Sequence, residues 1–463
     1  DEEVSRGLGD VYKRQNPEFT PGSNTETGSY VPVRFFTKED RTPSTQEEKY
    51  KYTLTYTDTN GEHQTLRTDE NPFSLADNIR SNITKVVIGT HVKVIDAQAF
   101  RGCSSLSGDL TIPNSVTTIG EYTFYNCSSL SGNLTIPNSV TTIGIAAFSG
   151  CSSFSGELTI PDSVISMGNS CFAYTKFTNV TLPENNSFTT LSPYLFTECS
   201  SLSGKLTIPE NVTTISNDVF RECNNITTIE MNNSVQSIGK QAFGLCTKLT
   251  DVTLPENRSF TTISEKLFLN SSALLSINIP QYVTSIEKNA FELSGLTEIT
   301  IPNNVESIGE GVFLQCRSLE KVVLPTNDKF KTIKKNTFAS CTSLNNITIP
   351  NNVESIHDTA FAYSDFLQTI YINVSPHPKM KINGQSLKAG KNQTIGGKTG
   401  INVVVVSTEG STDVSAEDGY KFVVEKNVYF DNGATVVALQ PRVEKRYIVL
   451  KKNDETSRPG IFN

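Results

Sequence analysis

No run of apolar residues in this chain approaches the roughly 18 that a membrane-spanning helix needs, so no transmembrane segment is read from the sequence. Nor is there a block of Lys and Arg. The formal net charge is −8 and the small basic group of Lys329, Lys331, Lys334 and Lys335 reads as a solvated face. That composition argues against a phosphate-binding surface, and nucleic acid is not expected as a partner. Histidine is scarce, with His63, His91, His357 and His377 scattered along the chain. No HExxH, GxSxG or phosphate-binding loop is present. Nine cysteines occur without a single CxxC, so the spacing of a metal site is missing. Catalytic residues, a metal and a cofactor are all unexpected.

What the chain has instead is a repeat. CSSLSGDLTIPNSVTTIGEYTFYN from Cys103 returns almost unchanged from Cys127 as CSSLSGNLTIPNSVTTIGIAAFSG. With one phenylalanine as the marker of each unit, the series runs Phe100, Phe124, Phe148, Phe172, Phe196, Phe220, Phe243, Phe268, Phe291, Phe313, Phe338 and Phe361. The spacing stays between 22 and 25 residues, which is the signature of a solenoid of leucine-rich length rather than of helical repeats. Length alone would suggest about three domains, but an array grows along one axis and escapes that estimate. Within a unit the apolar positions are constant: Leu110, Ile112, Val116, Ile119, Phe124 and then Leu130. Leu110, Thr111 and Ile112 alternate in, out, in, the pattern of a short half-buried strand, and Pro113 closes it for want of an N–H. One coil buries too little apolar surface to offset the entropy of ordering it, so stability has to come from stacked neighbours and capped ends.

Three further columns follow the period. Ser115, Ser139, Ser163, Asn185, Asn211, Ser234, Asn257, Asn304, Asn327 and Asn352 stand where a short polar side chain can bond the backbone of the adjoining coil. Eight cysteines fall three residues after the marker phenylalanine, and Cys171 sits just before Phe172. Stacked side chains point in parallel, a poor geometry for disulfides. Thr175, Ser271, Ser294 and Ser364 fill the same slot in other coils. The expectation is therefore a column of free, small, buried side chains. Every third coil carries two extra residues and exchanges Val for Phe, at Pro183–Phe188, Pro255–Phe260 and Pro325–Phe330. These bulges are read as a variant bend with a larger plug, with partner contact as the alternative.

The ends differ from the array. Residues 5–15, SRGLGDVYKRQ, back-translate codon for codon to a transposon-type sequencing adapter, so residues 1–15 are read as an artefact and excluded from fold reasoning. The natural start and any leader would then have been lost. Residues 16–80 are assigned to an N-terminal segment whose alternating stretch 50–68 forms a hairpin about Asn60–Gly61 and caps the first coil. Residues 81–375 are the solenoid. Residues 376–463 are read as a small β domain, with strands at Val403–Val406, Tyr420–Val424, Val428–Phe430 and Tyr447–Leu450.

The in-phase Pro, Gly, Phe and Cys resemble the BspA-like leucine-rich repeat family, whose units read much like IP-x-S-V-T-x-IG-x-x-AF-x-x-C-x-SL, over Val86 to Ile372. Met231–Asn232 in place of Ile-Pro, Met167 in place of Ile, and Ser271 and Ser294 in place of Cys depart from it. The resemblance implies a β-rich solenoid of about twelve coils and an extracellular or cell-surface protein of adhesive type, without catalytic residues. The expected binding face is the outward strand positions: Asp109, Thr111, Asn133, Thr135, Glu157, Thr159, Asn179, Thr181, Lys205, Thr207, Asp251, Thr253, Glu298, Thr300, Lys321 and Thr348. Twelve strands at about 4.8 Å make a polar wall on the order of 55 Å long, suited to a surface protein or glycan of a host or neighbouring cell. The alternatives are a spacer that holds the terminal β domain away from the cell and, less favoured, an enzyme with its chemistry in that domain.

Overall fold

Three sides close each coil, and each side is held by a different kind of bond to its neighbours. The computed structural model describes residues 49–374, and beyond them the strands Arg34–Phe35, Lys381–Ile382, Gln385–Ser386, Gly390–Ile395, Lys398–Ser407, Val414–Ser415, Tyr420–Val424 and Ile448–Lys452. Residues 1–15 and the expected strand Val428–Phe430 lie outside the described residues.

The first side carries the longer parallel strands. Glu157–Thr159 pairs with Asn179–Thr181, and Ser203–Thr207 with Asn225–Glu230 and then Asp251–Thr253. Glu298–Thr300 pairs with Lys321–Val323, and Asn346–Ile349 with Thr369–Val374. The second side is a ladder of two-residue strands in which Ile95, Ile119, Ile143 and Met167 stack inward. Both sides are parallel because successive coils run in the same direction.

The third side is the phenylalanine corner. There the Phe100 N–H donates to the Thr123 carbonyl, the Phe124 N–H to Ala147 and the Phe148 N–H to Cys171, each one coil forward. In the first eleven coils two residues, two before and two after the phenylalanine, take left-handed backbone, as Tyr122 (φ 55°) and Asn126 (φ 58°) do about Phe124. Most of these residues are not glycine, so the corner is locally strained. What holds it is the interior. All twelve marker phenylalanines are buried, and each ring stacks on the next at 5.2–6.1 Å with planes within 14°.

Most members of both small-residue columns bond to a neighbouring coil, Ser271 being an exception. Ser115 donates to the Val92 carbonyl at 2.7 Å, Ser139 to Val116 at 2.6 Å and Ser163 to Val140 at 2.7 Å. Asn185, Asn257 and Asn327 reach the carbonyls of Val164, Val235 and Val305. All nine thiols are free and buried. The thiols donate one coil back: Cys127 to the Phe100 carbonyl at 2.9 Å, Cys151 to Phe124 at 3.1 Å and Cys223 to Phe196 at 3.2 Å. Ser364 takes the same bond to Phe338 at 2.7 Å. The slot asks for a hydrogen-bond donor as well as for small size. In the bulges Phe188, Phe260 and Phe330 are buried, which is the plug role.

At the N-terminal end Tyr52–Thr57 and His63–Thr68 form the hairpin, and Tyr52–Thr57 pairs on its other edge with Ile83–Ile88. Tyr52 is buried edge-on against Phe100 at 5.4 Å, and its hydroxyl meets Asp96, which also holds Lys51 at 2.5 Å. The turn itself differs from the sequence reading. It spans five residues, Asp58 to Glu62, and only Gly61 is left-handed (φ 82°); the Asp58 carboxylate accepts the N–H groups of Asn60 and Glu62 in place of a tight two-residue turn. At the other end the strand Lys398–Ser407 continues the first ladder, parallel to Thr369–Val374.

Two expectations need correction. Residues 109–112 and 133–136 keep the exposed–buried alternation but are not laddered, so the strand wall is broken into separate sheets rather than continuous over twelve coils. A Ser-Gly step precedes each segment, as it does the laddered Glu157–Thr159 and the Lys205–Thr207 part of its strand. Gly132 is left-handed (φ 79°), and the Asp109 carboxylate oxygen lies 2.1 Å from where its Cβ would stand, so the coils contact through that close approach instead. Hydrogen bonding shifts to the preceding residues, where Ser131–Gly132 pairs with Ser153–Phe154. The second correction is Thr348, which is 5% exposed. Its ladder partner in the next coil is Tyr371, a far larger side chain beside a small one.

Candidate binding face

Thr348 apart, every expected face residue is exposed. They line up in two columns because side chains alternate along a strand and parallel strands stay in register. One column sets Glu157 beside Asn179 and Glu298 beside Lys321; the other sets Thr159 beside Thr181 and Thr207 beside Glu230. In the Ser203–Thr253 ladder two members escaped the sequence reading. Thr228 and Glu230 complete the columns between Lys205 and Asp251 and between Thr207 and Thr253. Their coil ends in Met231–Asn232 where others have Ile-Pro, and that loss of punctuation hid it. The in–out alternation of Ile226, Thr228, Ile229 and Glu230 was the available signal.

The charges on this face are partly paired across coils. Lys205 reaches Glu230 at 2.6 Å and Lys321 reaches Glu298 at 3.6 Å, all four more than half exposed, so these pairs are worth at most about 1 kcal/mol. Farther round the coil Lys331 meets Glu354 at 2.9 Å and Lys329 meets Glu306, so part of the basic group is ion-paired as well as solvated. The first coils behave differently. Asp109 and Asn133 lean on Gly132 and Gly156 of the following coils. Thr111, Thr135, Thr159 and Thr181 are the freely presented members there.

Among the described residues no group of three or more His, Cys, Asp and Glu is placed to hold a metal ion. Among them, too, no helix is long and apolar enough to cross a membrane. The thiols are held protonated by burial, with Cys199 pushed up to about 11 and Cys103, Cys246 and Cys316 to about 12. Such thiols are inert as nucleophiles at neutral pH.

A solenoid of short parallel strands with a polar outer wall is a repeat scaffold. The BspA type leucine rich repeat region matches in six copies over residues 78–203, 185–294 and 261–377, and the chain belongs to that family. In fold it is similar to a leucine-rich repeat protein from Bacteroides ovatus, at 24% identity and TM-score 0.45, covering 72% of this chain and 88% of that one. It is also similar to a leucine rich cell surface protein from Faecalibacterium prausnitzii, at 23% identity and TM-score 0.42, covering 70% and 84%. The pneumococcal vaccine antigen PcpA is a third, at 18% identity and TM-score 0.38, covering 66% and 80%. No match was found among curated proteins.

Proposed function

We infer that the protein is a non-catalytic binding protein of the cell surface or extracellular space, which presents its outward strand face to a macromolecular partner on a host or neighbouring cell. The observation that carries this reading is the contrast across one strand ladder. Leu206, Ile229 and Val252 beneath are interchangeable apolar residues, whereas Lys205, Thr228 and Asp251 outside, paired in register, differ in charge and size. Packing constrains the inner row and leaves the outer row open to recognition. Membership of the BspA type family supports the surface location.

Charge inversion tests the reading without touching the core. Glu298→Lys combined with Lys321→Glu preserves the ion pair while reversing its pattern, and Lys205→Glu removes the one cation of its column in the neighbouring ladder. The triple variant is expected to keep the parental melting temperature and to lose on the order of tenfold or more in attachment to immobilised matrix proteins or cells. Unchanged attachment would remove the strand face from consideration.

A further inference from the structure

The phenylalanine corner also has an outer surface, and between the second and fifth coils it is unlike the rest of the molecule. Residues 144–151 and 168–175, the corners of the third and fourth coils, contain no charged side chain. Ala146, Ser149 and Ala173 are small and closed over there, so the floor offers no hole for an apolar anchor. Aromatic rings stand at both margins. Tyr122 and Tyr125 belong to the second coil, their rings 5.7 Å apart with the Arg101 guanidinium 5.6–5.7 Å from each. Tyr194, on the fifth coil, stands in the same column as Tyr122, and Tyr174 rises from the fourth. Successive coils are 5.4–5.7 Å apart at the underlying rings, so a low strip lies between the margins, two coils wide between Tyr122 and Tyr194 and bounded by Tyr174 on the fourth coil.

Neither packing nor local preference explains these tyrosines. Tyr174 and Tyr194 are 48% and 44% exposed, so they stabilise little by burial. Both have left-handed backbone (φ 62° and 60°), as the equivalent corner positions of the other coils do, so the backbone there does not ask for an aromatic ring. The polar groups nearby suit hydroxyls: the Glu198 carboxylate is beside the Tyr174 hydroxyl and 3.7 Å from Arg221, and Asn126 and Asn169 are exposed at the edge of the strip.

A protein partner would anchor a side chain in a well-packed pocket, and a charged ligand would meet a counter-charge on the floor; the strip has neither. Flat rings with amide and carboxylate neighbours are what a sugar needs, since the C–H faces of a pyranose stack on aromatic rings while its hydroxyls bond to polar groups. We propose that this strip binds a neutral saccharide chain, with sugar rings laid against Tyr174 and Tyr194 and hydroxyls bonded to Glu198, Asn126 and Asn169. The site is separate from the strand face and does not depend on it.

The full chain is titrated calorimetrically with soluble neutral oligosaccharides of glucose, mannose, galactose and N-acetylglucosamine units, and with hyaluronate as the charged comparator. At least one neutral series is expected to bind. Binding should weaken on the order of tenfold for Tyr174→Ala and for Tyr194→Ala, and hold for Tyr174→Phe. Alanine is compatible with the fold at position 194, because Ala146 already occupies the left-handed site of that column (φ 49°), and Ser340 is a similarly small residue in the column of Tyr174 (φ 58°). The strand-face triple variant should bind saccharide like the parent, which separates this site from the proposed adhesive face. The chain has no tryptophan, so a change in near-ultraviolet circular dichroism on binding reports aromatic contact through tyrosine. Absence of neutral-saccharide binding, binding of hyaluronate alone, or full affinity in both alanine variants overturns the proposal. So does a protein partner lost from the tyrosine variants when no saccharide binds.

Discussion

A thiol three residues beyond the marker phenylalanine fills a space where its coil packs on the one before and donates to that coil's carbonyl. Cys223 and Ser271 occupy equivalent slots, yet the Cys223 thiol bonds the Phe196 carbonyl whereas the buried Ser271 hydroxyl has no partner. Replacing Cys223 by Ala is therefore expected to cost about 1–2 kcal/mol, from the lost bond and the small cavity. Ser271→Ala removes an unsatisfied hydroxyl and should be neutral or stabilising by about 1 kcal/mol. Denaturant midpoints of the two variants check the contrast, which disappears if small size alone is what the slot requires. That the slot holds small, free side chains is legible in the substitution of Cys by Ser and Thr along the repeat. The need for a donor is not, because the acceptor belongs to a different coil some 26 or 27 residues earlier.

The same thiols set a pH dependence. Burial raises every one of them, and an unfolded thiol ionises near about 8.5. Above that pH the unfolded chain holds fewer protons than the folded one, so stability falls as pH rises. The contribution is complete below about 8.5 and is lost on the way up to the folded values, at most about 1.4 kcal/mol per pH unit per thiol. Guanidinium midpoints should be level between pH 7 and 8 and drop steeply from pH 9 to 11, less steeply in a variant with three cysteines changed to serine. A level profile through pH 10.5 would contradict the burial.

At the scale of the element, each bulge is organised by one asparagine. Asn257 donates to the Val235 carbonyl at 2.7 Å and accepts from the Ser259 and Phe260 N–H groups, and Asn185 and Asn327 repeat the arrangement. Asn257→Ala leaves an acceptor and two donors without it, and a loss of about 2 kcal/mol is expected. Hydrogen exchange should show that loss concentrated in the seventh and eighth coils, since stability in a stacked array is a nearest-neighbour quantity. An even loss over the whole array would mean that the bulge has no local role. The bends and their polar columns could be read from composition and phase. The broken strand ladder could not: Leu110 and Ile112 have the same alternation as Leu158 and Ile160, and both segments follow a Ser-Gly step, yet only the second is laddered.

At the scale of the whole molecule, the hairpin at the N-terminal end closes a column of rings that would otherwise meet water. Tyr52 covers Phe100, and Asp96 ties the hairpin to the first coil through the Tyr52 hydroxyl and Lys51. Tyr52→Ala should destabilise by about 3–5 kcal/mol and expose the first coils to proteolysis before the later ones. Uniform protease resistance along the array would show that the cap is dispensable. The chain's own sequence determined the period, the coil, the inward set and the outward set, because one repeated pattern can be satisfied only by stacking like on like. Tertiary structure alone decided which outward residues are free. Thr348 is buried beside Tyr371, Asp109 and Asn133 bend onto glycines, and the tyrosines of the corner are assembled from separate coils. Those outcomes depend on what the adjoining coil places at the same height, a relation between residues more than twenty positions apart that no local pattern expresses.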